Sequence, residues 1–269
     1  MKTTVKLDKN HPGFHDLEYR CRRDLIAAVG ENHIPGNPIQ DVEYISEEDA
    51  VWEYIYSHLT LLHREFACKR YLSCRDRLHL PENSVPQLRE VSENLSIHTG
   101  FTMEPVPGLV HPRIFLEALA DNRMLSTQYI RHHSVPDYTP EPDVIHEILG
   151  HAIFLSDPEY ADINALFGCV AHKSSDEEID RLISLYWHTI EFGVCVEGGR
   201  VKAYGAGLLS SLGEMRMIET VPHKAFDIIT MQETPYDTAH FQPQLFCAEN
   251  FDQVMRELTQ FLRGRLKTQ

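Results

Sequence analysis

The stretch PDVIHEILGHAIF, residues 142–154, sets His146 and His151 on either side of Glu147 and Gly150. Imidazole nitrogens are the commonest protein ligands for transition metals. The pattern is one residue longer than H-E-x-x-H, in which two histidines four apart share a helix face and bind zinc. Positions four apart on an α-helix sit about 40° apart around the axis, and positions five apart about 140°. His146 and His151 can therefore meet one ion only where the backbone leaves regular α-helical geometry. Gly150 is where that departure is expected, because glycine adopts irregular backbone cheaply. Either histidine alone reads equally well as a satisfied polar residue near a helix end.

Asp143 stands one helical turn before His146. A ligating imidazole usually donates its second N–H to a carboxylate or carbonyl, so Asp143 is expected to accept from His146. Its simpler role is a negative charge at a helix N-terminus after Pro142. A third ligand is expected from SSDEEIDRLISLYWHTIEFG, residues 174–193. Ser175 and Glu178 form a capping box. Ile179, Leu182, Ile183, Tyr186 and Ile190 make an apolar stripe at helical spacing. Glu191 falls at the edge of that stripe, where a carboxylate is partly desolvated and needs a partner. Two histidines and one carboxylate form a facial triad that leaves half an octahedral ion open, as in non-haem Fe(II) oxygenases. Zinc held by the same residues would support hydrolysis instead. Arg131 offers a planar fork for a substrate carboxylate, or a surface ion pair. Ser210 and Ser211 read as helix caps or as polar contacts in a pocket.

The elements that must position these residues read as mainly helical. EEDAVWEYIYSHLTLLHREFACKRYL, residues 47–72, repeats apolar positions at Val51, Tyr54, Ile55, His58, Leu59 and Leu62. SVPQLREVSENLSIH predicts a helix from Ser84 with Pro86 in its first turn. Strand-like pieces are few, GRVKAYG and FQPQLFCAE being the candidates. Residues 1–45 are rich in turn formers and predict an extended N-terminal arm. No linker or repeat divides residues 1–269, so one domain is expected, mainly α (α+β) with a small β ribbon.

Bulk properties exclude several partners. The 269 residues carry 25 Lys+Arg against 40 Asp+Glu, a net −15. That balance argues against nucleic acid and anionic membrane. No run approaches 18 apolar residues, the length a membrane span needs. The first residues lack the apolar run of a signal peptide. Six cysteines without C-x-x-C pairs read as reduced thiols in a cytoplasmic protein. YGAGLLSSLGE holds Gly205 and Gly207 but not the rest of a dinucleotide fingerprint, so a tight turn feeding a helix is expected.

Four stretches, TQYIRH, YTPEPDVIHEILGH, LYWHTIEFGVC and KAYGAGLLSSLGE, resemble the pterin-dependent aromatic amino acid hydroxylases. Weaker similarity runs from DLEYRCRRDLI through VPQLREVSENLSIHTGFTMEPVPGL to FQPQLFCAENFDQ. The resemblance implies a basket of helices around a mononuclear iron site, with Fe(II) held by His146, His151 and Glu191, tetrahydrobiopterin as reductant and O2 as cosubstrate. It implies that Phe115 stacks on the pterin, that Leu109 and Val110 line it, and that Glu147 and Tyr186 lie beside pterin and iron as catalytic neighbours. It places a free amino acid against Arg131, supported by Asp143, with Thr139 and Ser210 as neighbours. Trp187, Pro140 and Phe192 would wall the substrate ring, and Phe192 with Gly207 fits attack at the para carbon. Leu125 departs from the polar residue or proline often found near the pterin, and His188 replaces an aromatic beside Trp187. The family reading favours phenylalanine, with tryptophan and tyrosine behind it. It also implies a catalytic domain standing alone as a monomer. A zinc hydrolase and a non-catalytic amino acid sensor are the readings it competes with.

Overall fold

The computed structural model describes residues 7, 9–137, 139, 141–238 and 240–268. Helices come in the order α1 (Pro12–His15), α2 (Leu17–Asn32), α3 (Ser46–Phe66), α4 (Lys69–Leu72), α5 (Leu88–Thr99), β1 (Thr102–Pro105), α6 (Pro112–Ala120) and β2 (Arg123–Ser126). A π-helical segment, His146–Ala152, runs into α7 (Ile153–Leu155), followed by α8 (Pro158–Ala171) and α9 (Asp176–Tyr186). A second π-helical segment, Trp187–Glu191, continues α9. Then come β3 (Val194–Glu197), β4 (Arg200–Ala203), α10 (Ala206–Leu209), α11 (Leu212–Met217), β5 (His223–Ala225), α12 (Ile228–Glu233), β6 (Leu245–Ala248) and α13 (Phe251–Thr268). The predicted helical basket is the fold observed.

Local chemistry explains the best-defined ends. Asp157 Oδ1 accepts from the Glu159 and Tyr160 N–H groups ahead of Pro158, capping α8. Ser175 and Glu178 close the expected capping box on α9, with N···O distances of 3.4 and 2.8 Å. The helices bury one continuous core that includes Ile55, Leu59, Phe154, Phe167 and Leu182. The amphipathic α13 contributes Val254, Leu258 and Leu262, four residues apart, to that core.

Several expectations need correction. The N-terminal arm is not extended throughout: α2 spans sixteen residues, with Asp16 accepting from the Tyr19 N–H as its cap. Ile26 packs there with Val42 and Tyr129. Turn-forming residues such as Pro35 and Gly36 mark only the connection after α2. The buried face of α3 is Val51, Trp52, Ile55, Leu59 and His63. Tyr54 is exposed, and it packs on His58 with ring centroids 4.2 Å apart, off that face. The helix also stops at Phe66, because Cys68 N donates to Ala203 O of β4 and pulls the chain out of helical geometry. α5 starts at Leu88 rather than Ser84, since Gln87 is still extended.

The β structure is larger than a ribbon. β1 and β2 form a parallel pair, and a mixed sheet runs β4-β3-β6-β5. Among the described residues only β3 and β4 make a hairpin, turning through Gly198 and Gly199 at φ 61° and 78°. Two consecutive positive φ angles suit the right-handed twist of a two-residue hairpin, and glycine reaches them without strain.

Candidate metal and substrate site

The first π-helical segment resolves the five-residue spacing. Its i→i+5 pairing widens each turn, so residues five apart come round to nearly the same face. His146 and His151 accordingly meet edge to face, with ring centroids 4.7 Å apart. Gly150 has a different part from the one expected. Its φ is not positive. A Cβ there would lie 2.7 Å from the Ala206 carbonyl oxygen, so glycine permits α10 to approach the segment. Tyr71, from α4, donates its hydroxyl to the Leu149 carbonyl at 2.7 Å, serving a backbone acceptor between the two histidines.

The second π-helical segment brings Glu191 to the same point. Phe192 N donates to Trp187 O five residues back, at 2.9 Å. Glu191 Oε1 lies 3.0 Å from His151 Nε2, and Oε2 lies 3.5 Å from His146 Nε2. The two Nε2 atoms are 3.0 Å apart. Each of the three residues offers a ligand atom within 4.8 Å of the others.

The tautomer of His146 follows from its neighbours. Ser210 Oγ sits 3.0 Å from His146 Nδ1 and 2.8 Å from Ala206 O. A hydroxyl has one proton, and the carbonyl can only accept it. Ser210 therefore accepts from His146 Nδ1–H, which leaves the Nε2 lone pair facing His151 and Glu191. Burial also pushes the His146 pKa down to about 4, against the opposing pull of Glu191, favouring neutral imidazole. Burial raises the Glu191 carboxyl, but the charge and hydrogen bond of His151, with His146, outweigh it and leave the pKa lowered. For His151, burial lowers the pKa and Glu191 more than reverses it. A carboxylate and two imidazole nitrogens converging in a buried site are the donor set of a divalent transition metal, so these residues fit one.

Asp143 does not accept from the His146 ring. Its carboxylate takes a bidentate grip from Arg131, Nε and Nη2 each at 2.8 Å, and also accepts from the Arg131 and His146 backbone N–H groups. The Arg131 and Asp143 side chains are 1% and 0% exposed. Arg131 Nη1 also donates to Pro136 O and Ser210 O. The bidentate fork expected for a substrate carboxylate is thus already used by Asp143. The smaller Ser210 took the imidazole role because α10 delivers it directly onto the ring. Ser211 caps α11 by accepting from Glu214 N.

The remaining site residues fall into two groups by their contacts. Trp187 packs on Phe192 at 4.7 Å, and Phe192 lies against Gly207, where a Cβ would be 2.5 Å from its ring. Thr139 donates to Glu141 O. Pro140 lies outside the described residues. In the second group, Glu147 is buried with Thr127 N and Oγ1 at 3.4 and 3.5 Å, and burial pushes its pKa up to about 8. Tyr186 donates to Asn164 Oδ1 at 3.0 Å and meets Phe115 edge to face at 5.4 Å. Leu109 is exposed and Val110 half-buried in the connection from β1 to α6. Leu125 is buried on β2, in register with Glu104 of β1. His188 is buried and pairs through Nε2 with Thr234 O at 3.1 Å, an anchor for the end of α12.

Sequence reasoning missed Tyr71, Asn164, His63 and Gln242. His63 Nε2 pairs with Leu209 O at 2.7 Å, next to Ser210, while its Nδ1 accepts from Arg75 Nε. The only signal in the sequence was a histidine inside the helical pattern of residues 47–72, followed by Arg64 and Glu65, and it does not name the partner.

The model of the family described as biopterin-dependent aromatic amino acid hydroxylase matches residues 1–268. This chain belongs to that family. Among similar proteins is the chloroplastic phenylalanine 4-monooxygenase of Physcomitrium patens, 41% identical over 97% of this chain and 68% of its own length. The tyrosine 3-monooxygenase of Mus musculus is 42% identical over 95% of this chain, which spans 52% of it. Phenylalanine hydroxylase from Chromobacterium violaceum, solved with bound iron(III) and 7,8-dihydrobiopterin, superposes with a TM-score of 0.78 at 29% identity, covering 92% of each chain. The protein is an aromatic amino acid hydroxylase that depends on biopterin, and His146, His151 and Glu191 supply its iron site.

Second-ranking contacts set the iron affinity. Ser210→Ala removes the acceptor of His146 Nδ1–H and frees the ring to rotate. Iron affinity is expected to fall about 10- to 100-fold, the usual cost of losing such a partner. Competition with a chromogenic chelator measures it, and an unchanged dissociation constant would show that the hydroxyl does not orient the ring.

Proposed function

We propose that this enzyme hydroxylates free phenylalanine to tyrosine. One observation carries the choice: two polar groups of the proposed substrate wall are already paired. Trp187 Nε1–H is donated to Gln242 Oε1, and the Thr139 hydroxyl to Glu141 O. A substrate phenol buried against this wall would displace a made bond or lose its own water, costing about 1–3 kcal/mol. An unsubstituted ring loses nothing there.

Bound iron and tetrahydrobiopterin supply the electrons and the site of O2 activation. The chain's part is placement and exclusion of water. Trp187 and Phe192 hold the ring beside Glu191, with Gly207 leaving Phe192 its room. Phe115, the Leu109–Val110 connection, Leu125 and Tyr186 form the apolar cradle for the pterin, and Glu147 gives it a polar edge. Arg131 gives four of its five side-chain N–H groups to Asp143, Pro136 O and Ser210 O, and the remaining Nη2 proton is the one it has for an amino acid carboxylate. Placing reactants this way replaces the entropy loss of a multi-body encounter.

The reading for tyrosine rests on relatives such as the mouse tyrosine 3-monooxygenase, as similar in identity as the phenylalanine enzymes. The test is Fe(II) loading without oxygen, then tetrahydrobiopterin, air, and equimolar phenylalanine, tyrosine and tryptophan. Tyrosine is the expected main product, with kcat/KM for phenylalanine about tenfold or more above the other two, matching a difference of ~1.4 kcal/mol. A dihydroxyphenylalanine or hydroxytryptophan as main product would overturn it.

A further inference from the structure

Gln242 connects three parts of the substrate wall. Its Oε1 accepts from Trp187 Nε1–H at 3.0 Å. Its Nε2 donates to Asp237 O at 2.9 Å and to His240 O at 3.2 Å. Its backbone N–H donates to Glu214 Oε1 of α11 at 3.0 Å. The residue is 5% exposed and lies 55 positions from Trp187 in the chain.

The chemistry of this junction selects a carboxamide. An indole N–H can only donate, and backbone carbonyls can only accept. One planar group must therefore present an acceptor on one side and two donors on the other. A carboxylate of equal length has no donor and would face two carbonyl oxygens with its charge. An aliphatic side chain offers neither function. The orientation of the amide is set by the same argument, because the reverse orientation would point donors at a donor.

The held indole is the centre of a row of rings. Tyr236 stacks on it at 4.9 Å and 26°, and Phe192 packs on it at 4.7 Å and 38°. Phe192 rests on Gly207 and follows the ligand Glu191 directly. Trp187 itself opens the π-helical segment that ends at Glu191. The tilt of the indole thus fixes where an aromatic substrate can lie relative to the metal ligands.

We propose that Gln242 is a positioning residue that sets the tilt of Trp187 and so the enzyme's preference among aromatic amino acids. This rests on the reading of Trp187 and Phe192 as walls of the substrate site. The test uses the iron-loaded enzyme and its Gln242→Leu, Gln242→Glu, Trp187→Phe and Gln242→Leu/Trp187→Phe variants. Three things are measured: iron per chain, kcat and KM for phenylalanine, tyrosine and tryptophan, and tryptophan emission. The chain has two tryptophans, and subtracting the Trp187→Phe spectrum isolates Trp187 from the buried Trp52.

Gln242→Leu should raise KM for phenylalanine and change the phenylalanine-to-tryptophan ratio of kcat/KM by about three- to tenfold, the factor one hydrogen bond is worth. Iron content should stay the same, and Trp187 emission should shift. Gln242→Glu should keep the emission nearer the parent, since it retains an acceptor for the indole, while still altering the ratio. In the Trp187→Phe background, Gln242→Leu should leave the ratio where Trp187→Phe put it. Unchanged ratio and emission in Gln242→Leu, or an equal ratio change with and without Trp187, would overturn the proposal. If Gln242→Leu does not fold, the same comparison runs with Gln242→Glu in both backgrounds. If the parent enzyme hydroxylates none of the three amino acids, the proposed function fails, and the emission of the Gln242 variants still decides whether the clamp on Trp187 exists.

Discussion

Glu191→Gln will leave a folded protein that no longer keeps its iron. The substitution preserves volume and one acceptor, so the core around Ile190 and Val194 has no reason to collapse. It removes the negative charge that faces two imidazoles from 3.0 and 3.5 Å. A neutral carboxamide is a poor ligand for a divalent cation, and the two Nε2 lone pairs are left to face each other without a shared cation. Turnover of phenylalanine should fall by more than the ~10- to 100-fold that losing an outer partner of a metal ligand costs. Iron retained after anaerobic dialysis, measured by emission spectrometry, should fall in step, while the thermal transition of the metal-free proteins stays within about 1 kcal/mol. Full iron retention with turnover within about tenfold of the parent would mean that Glu191 is not a ligand.

The largest loss of stability is expected from Arg131→Ala. Asp143 is fully buried, and Arg131 supplies two side-chain hydrogen bonds of 2.8 Å to it. Removing the guanidinium strands a carboxylate in the core and also leaves Pro136 O and Ser210 O without that donor. Breaking a buried pair from one side costs about 3–5 kcal/mol, a large part of a domain's total stability. Urea unfolding of the metal-free proteins measures this. Arg131→Leu/Asp143→Leu should recover part of the loss, because no charge is then left unpaired. An Arg131→Ala protein as stable as the parent would mean that water reaches Asp143 and that the pair contributes little.

These two experiments divide the site along the line between what local sequence carries and what it does not. Residue type and chain spacing were enough to nominate His146, His151 and Glu191, since few side chains bind iron and the surrounding apolar stripe showed which carboxylate would be desolvated. The five-residue spacing demanded an irregular helix, and a π-helical segment is there. Capping at Ser175 and the strands at Arg200–Ala203 and Leu245–Ala248 were legible for the same reason: their determinants lie within a few residues. The face of α3 was misjudged because Tyr54 and Trp52 are both aromatic, and periodicity alone cannot say which one meets the core.

What the sequence determined by itself is the ligand set, the helical class and the family, all encoded in residue identity and short-range pattern. The family resemblance already paired Asp143 with Arg131, and the structure shows that pair; only the tertiary structure decided that Ser210 orients His146, that Gly150 makes room for α10 and that Gln242 holds Trp187. Ser210 and Gln242 meet partners 64 and 55 positions away in the chain. Such pairings depend on how whole helices come to rest against one another, and a buried donor accepts whichever acceptor that packing brings within 3 Å or so.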